Sequence, residues 1–537
     1  MTASVFLRRF SFVTLLTGLA LVVSAVQPAN AQVMHFKQAV AEAAAGDKDI
    51  AAFYKANGYK AIWTGKSSKD KKRRQAFLNA IADAELHGLP ADRYSPELLG
   101  ANLRKVRSDR ELGEIEVAMS RMFLRYARDI QTGVLNPRDL DEGLVREVPY
   151  RSRQSILDAF SKSSPKGFID SLPPKSPEYA RLMKAKMQFE KLIGQGGWGE
   201  KVRSNRKLSP GDTGAAVIQL RDRLVRMGYL PRTASTTYDE AMVKAVSAFQ
   251  GDHGLATDGV AGPSTLGQIN IEPARRLTQI MVAMERERWI NMPLGKRHVW
   301  VNITDYHARV VDDGKVTFKT RSVVGKNEDE RRTPEFSDVM EYMVINPTWY
   351  VPRSIATKEY LPLLQKNPNA VSNLNLVDAS GRIVPRAGLD FTQYTERTFP
   401  FDMREPPNQG NALGLVKFMF PNRYNIYLHD TPAKNLFGRE KRDFSHGCVR
   451  LNDPFDFAYH LLAKQERDPV GFFQGELGTG KESYVYLKQP VPVHIVYRTA
   501  FTEAKGKIQF RGDVYGRDAR IWDALSDAGV ALRAVRG

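Results

Sequence analysis

The chain has 537 residues, 42% hydrophobic and 26% charged, with 79 Lys+Arg against 60 Asp+Glu for a net charge of +19. That length and apolar share exclude a single small domain or a disordered chain, and predict two to four domains with buried cores. A lone cysteine, Cys448, excludes an intramolecular disulfide framework.

The first residues set the expected compartment. Arg8 and Arg9 precede an apolar run from Phe12 to Val26, and Ala29-Asn30-Ala31 gives a small-x-small site before Gln32. Residues 1–31 read as a secretory signal peptide, with an uncleaved inner-membrane anchor as the alternative. No later stretch approaches 18 continuous apolar residues, so the remainder is expected as a soluble periplasmic protein. An exported chain meets little nucleic acid. Its positive charge is therefore assigned to an anionic wall or membrane surface, or to solubility alone.

Residues 32–205 read as helical. Val40, Ala43 and Ala44 open an alanine-rich helix, and Phe53, Tyr54, Tyr59 and Trp63 suggest an aromatic cluster. The run 66–74, KSSKDKKRR, reads as a charged linker or a solvated helix start. ELHGLPADRY carries a helix stop and a turn. Met119, Phe123, Tyr126 and Ile130 recur at helical spacing and predict a buried stripe. The pattern FYKANGYKAIW, HGLPADRY, GVLNP resembles the helical scaffold region ahead of larger L,D-transpeptidase domains.

Residues 206–271 form a second unit. Val217, Leu220, Leu224 and Met227 make one helical stripe, Met242, Val246 and Phe249 another, and Pro263 opens a third short helix. The three-helix plan resembles the peptidoglycan-binding-like domain, departing at Arg221, where glutamine-type residues are common. Such a module either binds glycan or only spaces its neighbours. Asp239, Asp252 and His253 lack metal-ligand spacing, and no metal is expected.

From 272 to 500 the pattern changes. An entry helix from Ile271 to Ile290 leads into alternating strands HVWVNI, HARVVDDG and KVTFKTRSVVG, with Asp313-Gly314 as a hairpin turn. Residues 346–400 interrupt the strands with a helix and resemble the capping insertion of larger members of the same family. The stretch 416–428 then reads as a β-hairpin turned by Pro421-Asn422, which places His429 at a strand end. Asp453-Pro454 starts a helix with Phe455, Ala458, Tyr459 and Leu462 on one stripe. PVPVHIVYRTA and KIQFRGDVYGRD are expected to return as an edge strand and hairpin that close the β domain, with 501–537 as a strand and hairpin tail.

Between His429 and the helix lies Ser445-His446-Gly447-Cys448. A thiolate is the reactive form of cysteine, and a nearby imidazole can take its proton. Gly447 lets a substrate approach the backbone, whose N–H groups could hold an oxyanion. A buried free cysteine with incidental histidines is the competing reading.

HDTPAKNLFGREKRDFSHGCVRL resembles the signature of the L,D-transpeptidase (YkuD-type) catalytic domain: a histidine, a spacer, then S-H-G-C-x-R. The resemblance implies Cys448 as acyl-accepting nucleophile, His429 as general base and His446 as a supporting or alternative imidazole. Gly447 and Cys448 would supply oxyanion donors, with Ser445 and Arg450 in support, Arg450 as a structural or substrate-carboxylate contact. It implies a multidomain α+β fold: helical scaffold, three-helix module, and a mainly β catalytic domain with a helical cap. It further implies a transpeptidase acting on peptidoglycan stem peptides and glycan strands without a cofactor. Cys448 would expel D-alanine from a tetrapeptide stem, and an amine, most plausibly of a neighbouring diaminopimelate, would resolve the thioester into a 3→3 cross-link. Water as acceptor would make it an L,D-carboxypeptidase, and an outer-membrane protein an attachment enzyme. Wall synthases are conceivable partners, and a non-catalytic wall-binding protein is the alternative of another class.

Overall fold

The computed structural model describes residues 27–503 and 506–532. The expected signal peptide lies outside the described residues as far as Val26, and a helix spans Gln27–Ala44. Among the described residues no helix is long and apolar enough to cross a membrane. The chain is multidomain α+β and divides into two compact units. Of the described residues, one holds 27–135 with 149–176 and 525–531; the other holds 136–148, 177–503, 506–524 and 532. The stretch 32–205 is thus shared between them.

The first unit is helical. Its longest helix, Asp109–Thr132, opens on a capping box, in which Ser108 and Glu111 satisfy each other's backbone N–H groups. It buries Met119, Phe123, Tyr126 and Ile130, the predicted stripe. Trp63 packs its ring against Phe77, Phe123 and Phe160, and Phe53 and Tyr54 share its core, with Tyr59 partly buried against it. Glu116 is fully buried because the loop before the 68–82 helix needs acceptors. It takes the amides of Ile62, at 2.6 Å, and Thr64, at 2.7 Å. The basic run 66–74 is a helix start capped by Ser67, with Arg73 buried against Asp70 and the Ser161 carbonyl.

In the second unit, helices Ala215–Arg226, Glu240–Asp252 and Pro263–Ile269 enclose Val217, Leu220, Leu224, Met242, Val246 and Phe249. Asp239 caps a helix, Asp252 accepts from Tyr229, and His253 stacks on Phe249, so each already has a structural partner.

The region from 297 to 496 is a closed sheet. Its strands are β1 (Arg297–Asn302), β2 (His307–Asp312), β3 (Lys315–Gly325) and β4 (Phe336–Ile345). An excursion carrying β5 (Trp349–Tyr350), β6 (Asn375–Val377), β7 (Ile383–Val384) and β8 (Asp402–Glu405) follows. Then come β9 (Val416–Met419), β10 (Leu428–His429), β11 (Asp443–Ser445), β12 (Val449–Leu451) and β13 (Ser483–Val496). The order is β11-β3-β12-β10-β9-β4-β13-β1-β2, and β2 pairs back onto β3. Asp313 and Gly314, both at positive φ, turn β2 into β3 as the Asp-Gly pair predicts. Val301, Met343, Phe418, Leu428, Val449 and Ile495 fill the interior.

Three expectations are corrected. The stretch PVPVHIV is no edge strand: it belongs to β13, which lies between β4 and β1, antiparallel to β4 and parallel to β1. The tail itself is a separate hairpin of β14 (Ala500–Thr502) and β15 (Ile508–Phe510), followed by a helix over Arg517–Asp527. The excursion runs past 400, since β8 pairs with β5 and β6 in its small sheet. In the helix Pro454–Leu462 the deepest face is Phe457, Ala458, Leu461 and Leu462. Phe455 and Tyr459 are only partly buried and pack on Phe473 instead.

Candidate active site

β9, β10 and β12 lie side by side and carry the motif. β10 runs parallel to β12, with Leu428 opposite Val449 and His429 opposite Arg450. β9 is antiparallel to β10, with His429 opposite Lys417. Because side chains alternate, Leu428 and Val449 enter the core while Tyr427, His429, Cys448 and Arg450 share the other face. Those four residues, with Lys417, Tyr424 and His446, line a cleft of about 890 Å³.

Cys448 sits where the backbone is held on both sides. The hairpin turn is longer than Pro421-Asn422. Asn422 braces it by donating to the carbonyls of Phe420 and Ile426 and accepting the amides of Tyr424 and Ile426. The Cys448 thiol points at the Asn425 carbonyl, 3.5 Å away. Gly447 has φ +111°, and a Cβ there would stand 3.1 Å from Ile426 Cδ1, so glycine meets both the backbone and the packing demand. Its carbonyl accepts from Thr333 Oγ1 at 2.7 Å. The Thr333 carbonyl in turn accepts from buried Arg517, within a network joining Glu335 to Arg286 at 2.6 Å. Among the described residues, no acceptor takes the amides of Gly447 or Cys448.

The long connection between His429 and Ser445 is ordered. Arg442 donates to the carbonyls of Ser322, Arg439 and Tyr306, and Asp430 accepts from Lys434 and the Leu415 amide. Ser445 is buried on β11, and its carbonyl accepts the Lys326 amide.

Burial favours the neutral forms of both Cys448 and His429. Burial pushes the Cys448 thiol up to about 11, offset in part by the Tyr427 amide and hydroxyl and by Arg450. Burial, with Arg450 and Lys417 adding to it, pushes His429 down to about 3, and its Nδ1 has no hydrogen-bond partner. Burial also holds the Tyr427 phenol well above its usual range, so it remains a donor towards the sulfur. In the free protein at pH 7 Cys448 is therefore held mainly as the thiol. Alkylation by iodoacetamide should accordingly be slow at neutral pH and climb steadily beyond pH 9. A plateau reached below pH 8 would mean a preformed thiolate–imidazolium pair.

His446 stands apart from His429. It is exposed, and its Nε2 lies 2.9 Å from Glu359 Oε1. Glu359 also accepts from Arg331 at 2.7 Å. It belongs to a π-helical turn, Ala356–Tyr360, inside the 353–366 helix of the excursion, and irregular turns of this kind often mark functional positions. Sequence reasoning missed Glu359, Tyr427, Lys417 and Thr333. Tyr427 and Lys417 were legible only as the polar half of an alternation, which usually means solvent. Glu359 and Thr333 had no local signal.

Three family descriptions match separate stretches: "Scaffold domain" over 48–185, "Putative peptidoglycan binding domain" over 213–269, and "L,D-transpeptidase catalytic domain" over 296–493. A protein of Haemophilus influenzae named "Putative L,D-transpeptidase" is 32% identical over 256 residues, which is 45% of this chain and 50% of that one. The chain thus spans about half the length of the curated relative it matches. Two solved structures are similar at 15% identity, each over 55% of this chain. An L,D-transpeptidase from Xylanimonas cellulosilytica is covered to 98% with a TM-score of 0.16, and one from Stackebrandtia nassauensis to 96% with a TM-score of 0.22. The S-H-G-C-x-R motif set in its cleft thus lies within the stretch 296–493 that matches the L,D-transpeptidase catalytic domain, and the stretches before it match a scaffold domain and a peptidoglycan-binding domain.

Proposed function

We propose that the protein is a periplasmic L,D-transpeptidase that joins peptidoglycan stems through an acyl-enzyme on Cys448. The observation that carries this reading is the shared face of β10 and β12, which puts His429, its Nδ1 without a hydrogen-bond partner, and the lone thiol in one cleft. His429 takes the thiol proton as sulfur adds to the carbonyl carbon of the third stem residue. The amides of Gly447 and Cys448 receive the oxyanion. Collapse breaks the C–N bond, and protonated His429 returns the proton to the departing D-alanine amine. An acceptor amine then adds to the thioester and gives up its proton to His429. The C–S bond breaks, and the thiol is restored. Every proton and leaving group is handled by side chains of this chain.

Transfer competes with hydrolysis, so the cover over the cleft decides the product. Trp349, Tyr350, Ile355 and Glu359 of the excursion line the cleft, and Glu359 holds His446. Ile345 pairs with Val416, and the Asn346 amide bonds the Leu415 carbonyl. A short Asn-Gly link in place of residues 347–414 would therefore close a hairpin. Intact-mass analysis of products from a disaccharide-tetrapeptide donor tests both points. The full chain should yield D-alanine and cross-linked dimer, and the shortened chain should shift towards tripeptide. Absence of any D-alanine release would overturn the enzymatic reading. An unchanged dimer-to-tripeptide ratio would free the excursion of that role and leave water exclusion to the barrel.

A further inference from the structure

Lys417, His429 and Arg450 form one row across three neighbouring strands. The two outer members are cations lining the cleft. Neither has an acidic partner within ion-pair distance among the described residues. Glu482, the acidic group acting on Lys417, spends an oxygen on the Thr348 amide at 2.8 Å. Arg450 has a buried Nε without a hydrogen-bond partner, and the Cys448 sulfur is the group that favours its charge. Lys417 is half-buried, and desolvation lowers its pKa. Two partly desolvated cations, neither held in an ion pair among the described residues, form an incomplete site, because desolvated charge is costly unless a ligand supplies a close partner.

The spacing suggests the ligand. Strands lie roughly 4.8 Å apart, so the Cα atoms of Lys417 and Arg450 are about 10 Å apart. Arg450 is two residues from Cys448 on the same strand, whereas Lys417 is two strands away, on the far side of His429. In a tetrapeptide donor the carboxylate of the departing residue lies on the order of 4 Å from the scissile carbon. A carboxylate at the end of a diaminopimelate side chain lies on the order of 7 Å away, in the other direction. From this geometry we infer that Lys417 is a specificity residue, binding a carboxylate at the side-chain end of the donor's third residue while Arg450 faces the carboxylate that leaves. The inference rests on the transpeptidase reading and adds the substrate class: a donor with a free acid on that side chain, in preference to its amide.

The test uses the full chain and two tetrapeptide donors differing only in whether that side-chain carboxylate is free or amidated. Acylation of Cys448 is followed by intact mass. The native protein should favour the free acid about tenfold in kcat/KM, mainly through KM. Lys417→Met should bring the ratio of the two donors close to one, and Lys417→Arg should restore part of it. A melting curve for each variant confirms folding, and the ratio is internal to each protein. A native protein indifferent to amidation, or a Lys417→Met variant that keeps the native ratio, overturns the inference while leaving transpeptidation intact. No acylation by either donor overturns the transpeptidase reading itself, and this inference falls with it.

Discussion

Cys448→Ala is expected to abolish release of D-alanine and formation of the acyl-enzyme, while folding stability changes by no more than about 1–2 kcal/mol. The side chain is half-buried, and its thiol makes one long contact, to the Asn425 carbonyl. Little packing is lost on removing one sulfur atom. The Tyr427 hydroxyl loses an acceptor, but it lines an open cleft where water can replace it. Residual turnover by the alanine variant, measured as free D-alanine, would show that another group carries the acyl chain. Loss of folding would instead make Cys448 a structural residue, the competing reading of a lone cysteine.

Removal of the His429 imidazole is expected to slow acylation far more than removal of that of His446. His429 shares the thiol's sheet face, is buried and has an unoccupied nitrogen. General-base assistance of this kind is worth roughly 10²–10⁴-fold. His446 is exposed and already engaged by Glu359, so His446→Ala should act mainly through the fit of the excursion, at about tenfold or less. His429→Ala leaves a cavity, so His429→Gln serves as the volume-conserving control. Single-turnover acylation, followed by intact mass, separates the two. Equal losses, or a larger loss at His446, would reassign the base.

The motif was legible because its chemistry is local. Gly447 at φ +111°, the lone cysteine and the strand-end histidine are each dictated by residue type within a short window. Periodicity likewise announced the buried stripes of the 109–132 helix and of the three-helix module, since a helix face is a property of spacing alone. Closure of the barrel was not legible. β13 is an interior strand because β1 and β4 come to its two sides from well over a hundred residues upstream, and no local pattern encodes such a pairing. The same holds for the partners of the site. Lys417 and Arg450 flank His429, and Glu359 meets His446, through strand register and a returning helix. Residue types and their spacing thus determined which groups could react. Long-range pairing, which turns separate strand ends into one face, decided which of them stand together, which remain neutral and which cations are left without a partner.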